Sequence, residues 1–397
     1  MKIREAGCTS VLQDQRLYTE GVIEDIRASL DPNATNLKYV GYGSGLLSIA
    51  LFYSFYAKFK NDGKYRLPAI EYFEKSIAAI SFRLYDDTIL YFREIIEIGL
   101  FIQFVKNEGL LPQINAEILR KLDAQISVFM RVKLREGELN HFGAMFAGEY
   151  FLTRINENPE AIDHLADLVH AFEKFAIKDQ KGYYWKWPFA KRDGIYLGMV
   201  CGSSRIITLL SSIYENDILR GDCLRIIDHA TDFLLGHEQK PNPGYFPAKS
   251  GSTNKSNALL DGDLAIACGL WNAWKVTKRA DVNDVIDRTL DLCCIRHTLD
   301  DCGVSDASIL YGTTGLALRF DRLYRAIRAE KLRDASDFWY AESIRQRKFN
   351  NETAGFMARY NQGHLSTNIA FHEGIAGIGI GMMCFLNRDL PLPTMLI

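Results

Sequence analysis

Six times along the chain a glycine opens a short turn, usually rich in small residues, that runs straight into an apolar helix. The instances are Gly45-Leu-Leu-Ser48-Ile, Gly143-Ala-Met-Phe146-Ala, Gly202-Ser-Ser-Arg205-Ile, Gly262-Asp-Leu-Ala265-Ile, Gly312-Thr-Thr-Gly315-Leu and Gly374-Ile-Ala-Gly377-Ile. A seventh, weaker copy fits at Glu94-Ile-Ile-Glu97-Ile-Gly99. The openings then recur at a near-regular interval of roughly 50 to 60 positions, which marks a repeat architecture. Each interval holds two helices and their connections at about 1.5 Å rise per residue. A glycine at a helix start lets backbones approach closely. The residue three positions later, small in four of the six, lies on the same face one turn up. Seven units, each giving a crowded inner helix and an outer one, close into an α/α toroid. Chance turns in a chain with 30 glycines explain one copy, but not six or seven at near-regular spacing.

The segments between the turns agree with an all-α class. Ala161–Phe175 places Ile162, Leu165, Leu168, Val169 and Phe172 on one face, and strict period-2 alternation is rare. Turn chemistry at Asp31-Pro-Asn, Asn61-Asp-Gly, Asn156-Glu-Asn-Pro and Pro241-Asn-Pro-Gly separates helices, each expected to run for about three to five turns. A short hairpin is expected at Gly182–Trp187. Hydrophobic residues make up 48% and charged residues 24% of the 397. That composition excludes a disordered, collagen-like or coiled-coil chain. A net charge of −2 suggests no nucleic-acid or anionic-membrane partner. The N-terminus shows no apolar signal region, and no apolar stretch reaches the roughly 20 residues of a membrane span, so a cytoplasmic protein is expected. The eight cysteines form no C-x-x-C pair and read as reduced, mostly buried thiols.

The last repeat, His372-Glu-Gly-Ile-Ala-Gly-Ile-Gly379 through Phe385-Leu386, resembles the C-terminal helix motif of the lanthionine synthetase C (LanC) cyclases. Ser308-Ile-Leu-Tyr-Gly-Thr-Thr-Gly-Leu-Ala-Leu-Arg-Phe is similar to the family's sixth repeat, and Ser256-Asn-Ala-Leu-Leu-Asp-Gly-Asp-Leu-Ala-Ile to its fifth. The resemblance divides the chain into an N-terminal extension, 1–36, and a LanC-like toroid, 37–397. It implies a double ring of helices, seven inside seven. It also implies a chemistry in which a peptide cysteine adds to a dehydroalanine or dehydrobutyrine, closing thioether rings in lanthipeptide precursors. The family activates that thiol with zinc on three protein ligands. Here the corresponding positions hold Leu260, Leu310 and Tyr311. A leucine cannot bind metal and a neutral tyrosine is a poor zinc ligand, so no zinc is expected. A family histidine before the fourth-repeat glycine corresponds to Cys201. A family carboxylate upstream of the third-repeat turn falls near Leu139-Asn140, with Glu138 the nearest acid. Scaffold positions persist and chemical positions mostly do not, the pattern of a cyclase-derived pseudoenzyme.

Residues preceding the inner glycines converge in the family, which makes Cys201, Asp261, Tyr311, His372 and Glu373 the candidate central pocket. Cys201 and His372 could form a thiolate–imidazolium pair. The alternative is a polar rim capping helix N-termini, with Glu373 and Asp263 favoured by the macrodipole. Cys293-Cys294-Ile-Arg-His297-Thr-Leu-Asp-Asp-Cys302 is the densest group of soft ligands, but its spacing matches no standard finger and reads as unligated thiols. Gly182-Tyr-Tyr-Trp-Lys-Trp187-Pro-Phe189 is either an exposed partner surface or a packed hairpin edge. The basic runs Ala326–Asp334 and Arg345–Lys348 read as a solvated face. The function expected first is a degenerate cyclase acting as a scaffold for a precursor peptide or for a dehydratase or cyclase partner. The alternatives are an active zinc-independent or thiol-dependent peptide-modifying enzyme, and a glycan-processing α/α barrel with Asp261 and Glu373 as its carboxylate pair.

Overall fold

In the computed structural model of the chain, residues 2–82, 87–189, 192–200, 202–239, 242, 244–252, 261–359 and 364–393 are described, with 2–13, 81–82, 187–189 and 192–193 in backbone only. The chain begins with α1 (Lys2–Asn33), after which inner and outer helices alternate. They are α2 (Leu47–Lys60) and α3 (Arg66–Phe82), α4 (Thr88–Asn107) and α5 (Leu119–Glu136), α6 (Ala144–Arg154) and α7 (Glu160–Phe175). Then follow α8 (Ser203–Glu215) and α9 (Arg220–Leu235), α10 (Asp263–Thr277) and α11 (Ala280–Cys294), and the short α12 (Leu299–Cys302). The last three are α13 (Thr313–Ile327), α14 (Glu330–Arg345) and α15 (Ile375–Leu386). The even-numbered helices α2 to α10, with α13 and α15, form the inner ring, which closes where α15 packs on α2.

Burial separates the two rings as amphipathicity predicts. Every residue of α2 from Leu47 to Ala57 is buried, so this stretch has no solvent face. The outer helix α7 buries only a stripe: Ala161, His164, Leu165, Leu168, Val169, Ala171 and Phe172. Ile162, which the periodicity assigns to that stripe, is 44% exposed, because the buried face is rotated toward Ala161 and His164.

Five of the six repeat glycines are the residues immediately before a helix: Gly143, Gly202, Gly262, Gly312 and Gly374. Gly45 stands two residues before α2. The seventh copy differs. Glu94 opens no helix, since it lies inside α4, which starts at Thr88 with the Asp87 carboxylate accepting from the Ile89 and Leu90 amides. Its burial, and that of Glu97, is compensated by bonds described below.

The N-terminal segment provides the outer helix behind α15. Val22, Ile23, Ile26 and Leu30 of α1 are fully buried, and Asp31 accepts from the hydroxyls of Tyr53 at 2.7 Å and Tyr72 at 2.9 Å. With α1 counted, seven outer helices back seven inner ones among the described residues. Pro32 sits in the last turn of α1 rather than in a separate turn.

The hairpin also lies elsewhere than the sequence suggests. Gly182–Tyr184 is the second strand, β2, of a hairpin whose first strand, β1, is Ile177–Asp179, and a second hairpin pairs β3 (Trp187–Phe189) with β4 (Arg192–Gly194). Left-handed φ at Gly182 turns the chain close to the backbone of His229. The aromatic segment is packed: Trp185 donates to the Phe172 carbonyl at 2.9 Å, Tyr183 stacks on His229 and Tyr184 on Phe233. The basic runs are ion-paired to their surroundings, Lys331 to Asp291 and Arg347 to Asp25 among them. No described helix is long and apolar enough to cross a membrane.

Close approach of inner helices depends on glycine within them. A Cβ on Gly269 of α10 would lie 2.6 Å from the Ser204 Cβ and 2.8 Å from its Cα on α8. Gly269→Ala is therefore expected to lower the denaturant midpoint by an overpacking cost of about 1–3 kcal/mol. Gly221→Ala, in the first turn of the outer helix α9 with nothing within 4 Å, is expected to leave stability unchanged or slightly higher. Equal midpoints for the two variants would contradict the ring packing.

Candidate functional site

The turns before the inner helices gather at one end of the ring around a cavity of about 330 Å³. Tyr42 and Ser44 border it from the first unit, Arg93 and Glu97 from α4, and His141, Phe142 and Phe146 from the third. Met199, Val200 and Arg205 come from the fourth, Leu310 and Tyr311 from the sixth, His372 and Glu373 from the seventh.

Of the residues the sequence nominates, Tyr311, His372 and Glu373 meet here with Leu310 beside them. Cys201 and Leu260 lie outside the described residues. Asp261 is half-buried and does not border the cavity. The cavity is eccentric, bordered by six units, and the fifth contributes none of its described residues. Asp263 is also no part of it. Its carboxylate is buried, pairs with Arg296 and accepts from the Phe246 amide at 2.6 Å, locking the start of α10 to the loop before it. Glu138 points elsewhere too, paired with Lys133 at 2.8 Å.

Backbone bonds stitch the turns together. The His372 amide donates to the Gly43 carbonyl at 2.9 Å, and the Leu310 amide donates to the His372 carbonyl at 2.9 Å. Gly43 has to be glycine in this contact, because a Cβ there would sit 2.5 Å from the His372 ring. Two buried carboxylates of α4 fasten the first turn: Glu94 accepts from the Val40 amide at 2.8 Å and Glu97 from the Gly43 amide at 2.9 Å. Arg205 is fixed by a two-pronged pair with Glu149, both contacts 2.6 Å, which ties α8 to α6.

Burial sets the protonation states. It drives the His372 imidazole down to about 3, with the Arg93 charge acting the same way. His141 is likewise pushed down to about 3 by burial, then by Arg205, His372 and Arg93. Both are neutral at physiological pH. Burial raises Glu97 to about 7, against the opposing pull of Arg93, whose Nε lies 3.6 Å away, and of the Gly43 amide. His372 packs edge-on to Tyr42, and its buried Nε2 finds no hydrogen-bond partner among the described residues.

Two further residues were reachable from the sequence. His141 and Phe142 precede Gly143 as His372 and Glu373 precede Gly374, so the rule that selects the latter also selects the former. Arg93 and Glu97 carry no such signal, because α4 enters the site from its body rather than from an opening turn.

Leu310 and Tyr311 stand where the resemblance places a Cys-His pair, and among the described residues no group of three or more His, Cys, Asp or Glu could hold a metal ion. In the Cys293–Cys302 segment Cys293 and Cys302 are buried, and burial raises the Cys293 thiol well above its ordinary range and the Cys294 thiol to about 12.

A ring of seven inner and seven outer helices, with its inner turns converging on one cavity, defines an α/α toroid. Residues 40–397 match the profile of the lanthionine synthetase C-like proteins, and the chain belongs to that family. Among solved structures it is similar to nisin cyclase, at 13% identity and a TM-score of 0.72, over 92% of this chain and 93% of that one. At that identity the likeness concerns the fold. Looser overlaps occur with a protein of Listeria innocua (12% identity, 73% and 85% covered, TM-score 0.45) and with an inactive variant of a Salegentibacter α-1,6-mannanase in complex with α-1,6-mannotetrose (10%, 94% and 99%, TM-score 0.46), and they support no reading. None of the curated proteins compared matches the sequence.

The shifts predict a pH dependence with two signs. Each histidine binds a proton in the unfolded chain below about 6.5 but in the folded protein only near 3. Stability is therefore lost as pH falls from 6.5, by up to about 1.4 kcal/mol per histidine per pH unit. Glu97 acts oppositely: folded at about 7 against 4.5 unfolded, it favours the folded state at low pH and loses that contribution as pH rises from 4.5 to 7. Glu97→Gln, which keeps an acceptor for the Gly43 amide, is expected to steepen the loss of stability between pH 6.5 and 4.5 relative to the parent. Urea midpoints measured across that window check it, and parallel curves would refute the assignment.

Proposed function

We propose that this LanC-like chain has given up metal-activated ring closure and serves modified-peptide biosynthesis as a scaffold. Its rim cavity holds a precursor peptide, or presents one to a dehydratase or cyclase partner. One observation carries the reading: Leu310 and Tyr311 border the cavity beside His372, where an active relative needs metal-binding side chains. A peptide thiol arriving there meets no Lewis acid from these positions. With a free thiol pKa near about 8.5, only a few per cent is thiolate at neutral pH.

The walls suit binding better than chemistry. Phe142 is 38% exposed at the cavity edge, and Phe146, Tyr42 and Tyr311 add to its aromatic surface. Aromatic side chains dominate binding hot spots. Arg93 and Glu373 supply charge of both signs around them. Phe142→Ala is expected to weaken binding of the precursor peptide about ten-fold, an interface hot-spot effect, with the thermal midpoint unchanged. Titration calorimetry with a dehydrated precursor peptide checks this, and undiminished affinity would remove the cavity from the binding surface.

A second reading, a zinc-independent or thiol-dependent enzyme, draws on Glu97. Its carboxyl, near 7 beside neutral imidazoles, can exchange protons at physiological pH. Metal analysis and product analysis separate the two. Protein purified without chelator is expected to carry well under one zinc per chain and to leave a dehydrated peptide uncyclised above background. Cyclisation that persists in chelator and disappears in Cys201→Ala would establish the enzyme. Stoichiometric zinc, lost together with cyclisation in His372→Ala, would sink both readings in favour of a relocated metal site.

A further inference from the structure

Below the rim the ring encloses a second, differently charged space. Arg319 lies six residues into α13, about 9 Å down the helix from the rim. It is 1% exposed, yet none of its three guanidinium nitrogens has a hydrogen-bond partner of acceptable geometry among the described residues. The Cys268 thiol lies alongside it and acts on its charge. A thiol accepts only weakly and, while protonated, brings no counter-charge. Arg322, one turn further along the same helix, shares with Arg319 the wall of a cavity of about 230 Å³ between α8, α10 and α13. Lys275, at the same cavity, is neutralised by Glu215 at 2.8 Å, and Arg205 above it by Glu149. No carboxylate of the described residues pairs with Arg319 or Arg322 in the same way. Two guanidinium charges thus face one cavity without a carboxylate partner among the described residues.

Burying an unpaired guanidinium is among the costliest arrangements a fold can hold, because the charge loses its hydration and gains nothing in return. Arginine does not escape by losing its proton at physiological pH. Burial, reinforced by the neighbouring positive charges, works against the charged form of both residues. Such a pair becomes favourable when an anion enters between them.

We propose that this axial cavity is a binding site for a phosphate-type oxoanion, clasped between Arg319 and Arg322. Two uncompensated charges call for a dianion, and a monocarboxylate would leave one unmet. The fork of each guanidinium matches tetrahedral phosphate oxygens. Asn272 borders the cavity, its amide donating to the Thr208 hydroxyl at 3.1 Å, and Trp271, stacked on Trp274, borders it as well. Thr208 and Arg322 also border an adjoining cavity of about 310 Å³, which gives room for a larger body attached to the phosphoryl group. The proposal rests on Arg319 and Arg322, which the peptide reading of the rim does not use, although Met199 borders both cavities.

The test is titration of the full-length protein with inorganic phosphate, ADP and acetate in chloride buffer, read by calorimetry and by thermal midpoint. Saturable one-to-one binding of phosphate or ADP, with a rise in midpoint, is expected. Competition between the two assigns the source to a nucleotide, and phosphate binding alone assigns it to the free anion. Arg319→Met and Arg322→Gln are each expected to weaken binding about ten-fold or more, and Arg319→Lys to retain part of it. In phosphate-free buffer Arg319→Met should be no less stable than the parent, because it deletes an unmatched buried charge. Absence of saturable binding, undiminished binding in Arg319→Met and Arg322→Gln, or acetate binding as tightly as phosphate would overturn the proposal.

Discussion

Closure of the inner ring rests on a few backbone groups at one end of the molecule. The Gly43 carbonyl receives the His372 amide, the His372 carbonyl receives the Leu310 amide, and the Glu94 and Glu97 carboxylates receive the Val40 and Gly43 amides. These bonds join the first, second, sixth and seventh units. They also satisfy polar groups in a region where water is excluded and an unpaired amide would be costly. The glycines before the inner helices make the geometry possible: at Gly312 and Gly374 a Cβ would run into the backbone of the preceding loop. The rim cavity exists because these turns meet, and its chemistry follows from how deeply they bury their side chains.

Burial organises the charge inside the ring into two zones. At the rim it makes histidines neutral and raises a glutamic acid toward neutrality, which leaves Arg93, Arg205 and Glu373 as the charged side chains there. Deeper along the axis, Arg319 and Arg322 place positive charge with no ion-pair partner among the described residues. One fold thus offers an aromatic, nearly neutral mouth and a cationic interior. Arg205, paired with Glu149, borders both the rim cavity and the adjoining axial space.

Much of the fold is legible in the sequence because the repeat glycines report local geometry. At Gly143, Gly202, Gly262, Gly312 and Gly374 a helix begins on the next residue. Glu94 is no repeat opening, because apolar spacing cannot distinguish a helix start from a helix interior, and the cap at Asp87 marks the true start. Gly182 does not start its hairpin but follows the turn, where its left-handed φ is required. The site is legible in part. Tyr311, His372 and Glu373 sit in the turns the repeat identifies, whereas Arg93, Glu97 and Arg205 reach the cavity from helix bodies.

The sequence by itself determined the helical class, the repeat, the positions of the inner turns, and the leucine and tyrosine at 310 and 311 where the resemblance places metal ligands. Each of these depends on residue type at a fixed spacing along the chain. Tertiary structure alone decided that α1 backs α15, that Asp263 locks to Arg296 rather than facing the cavity, that His141 and His372 are neutral, and that Arg319 is buried without a hydrogen-bond partner among the described residues. These depend on which groups from distant units come within a few ångströms and on how much water they exclude, which no local pattern encodes.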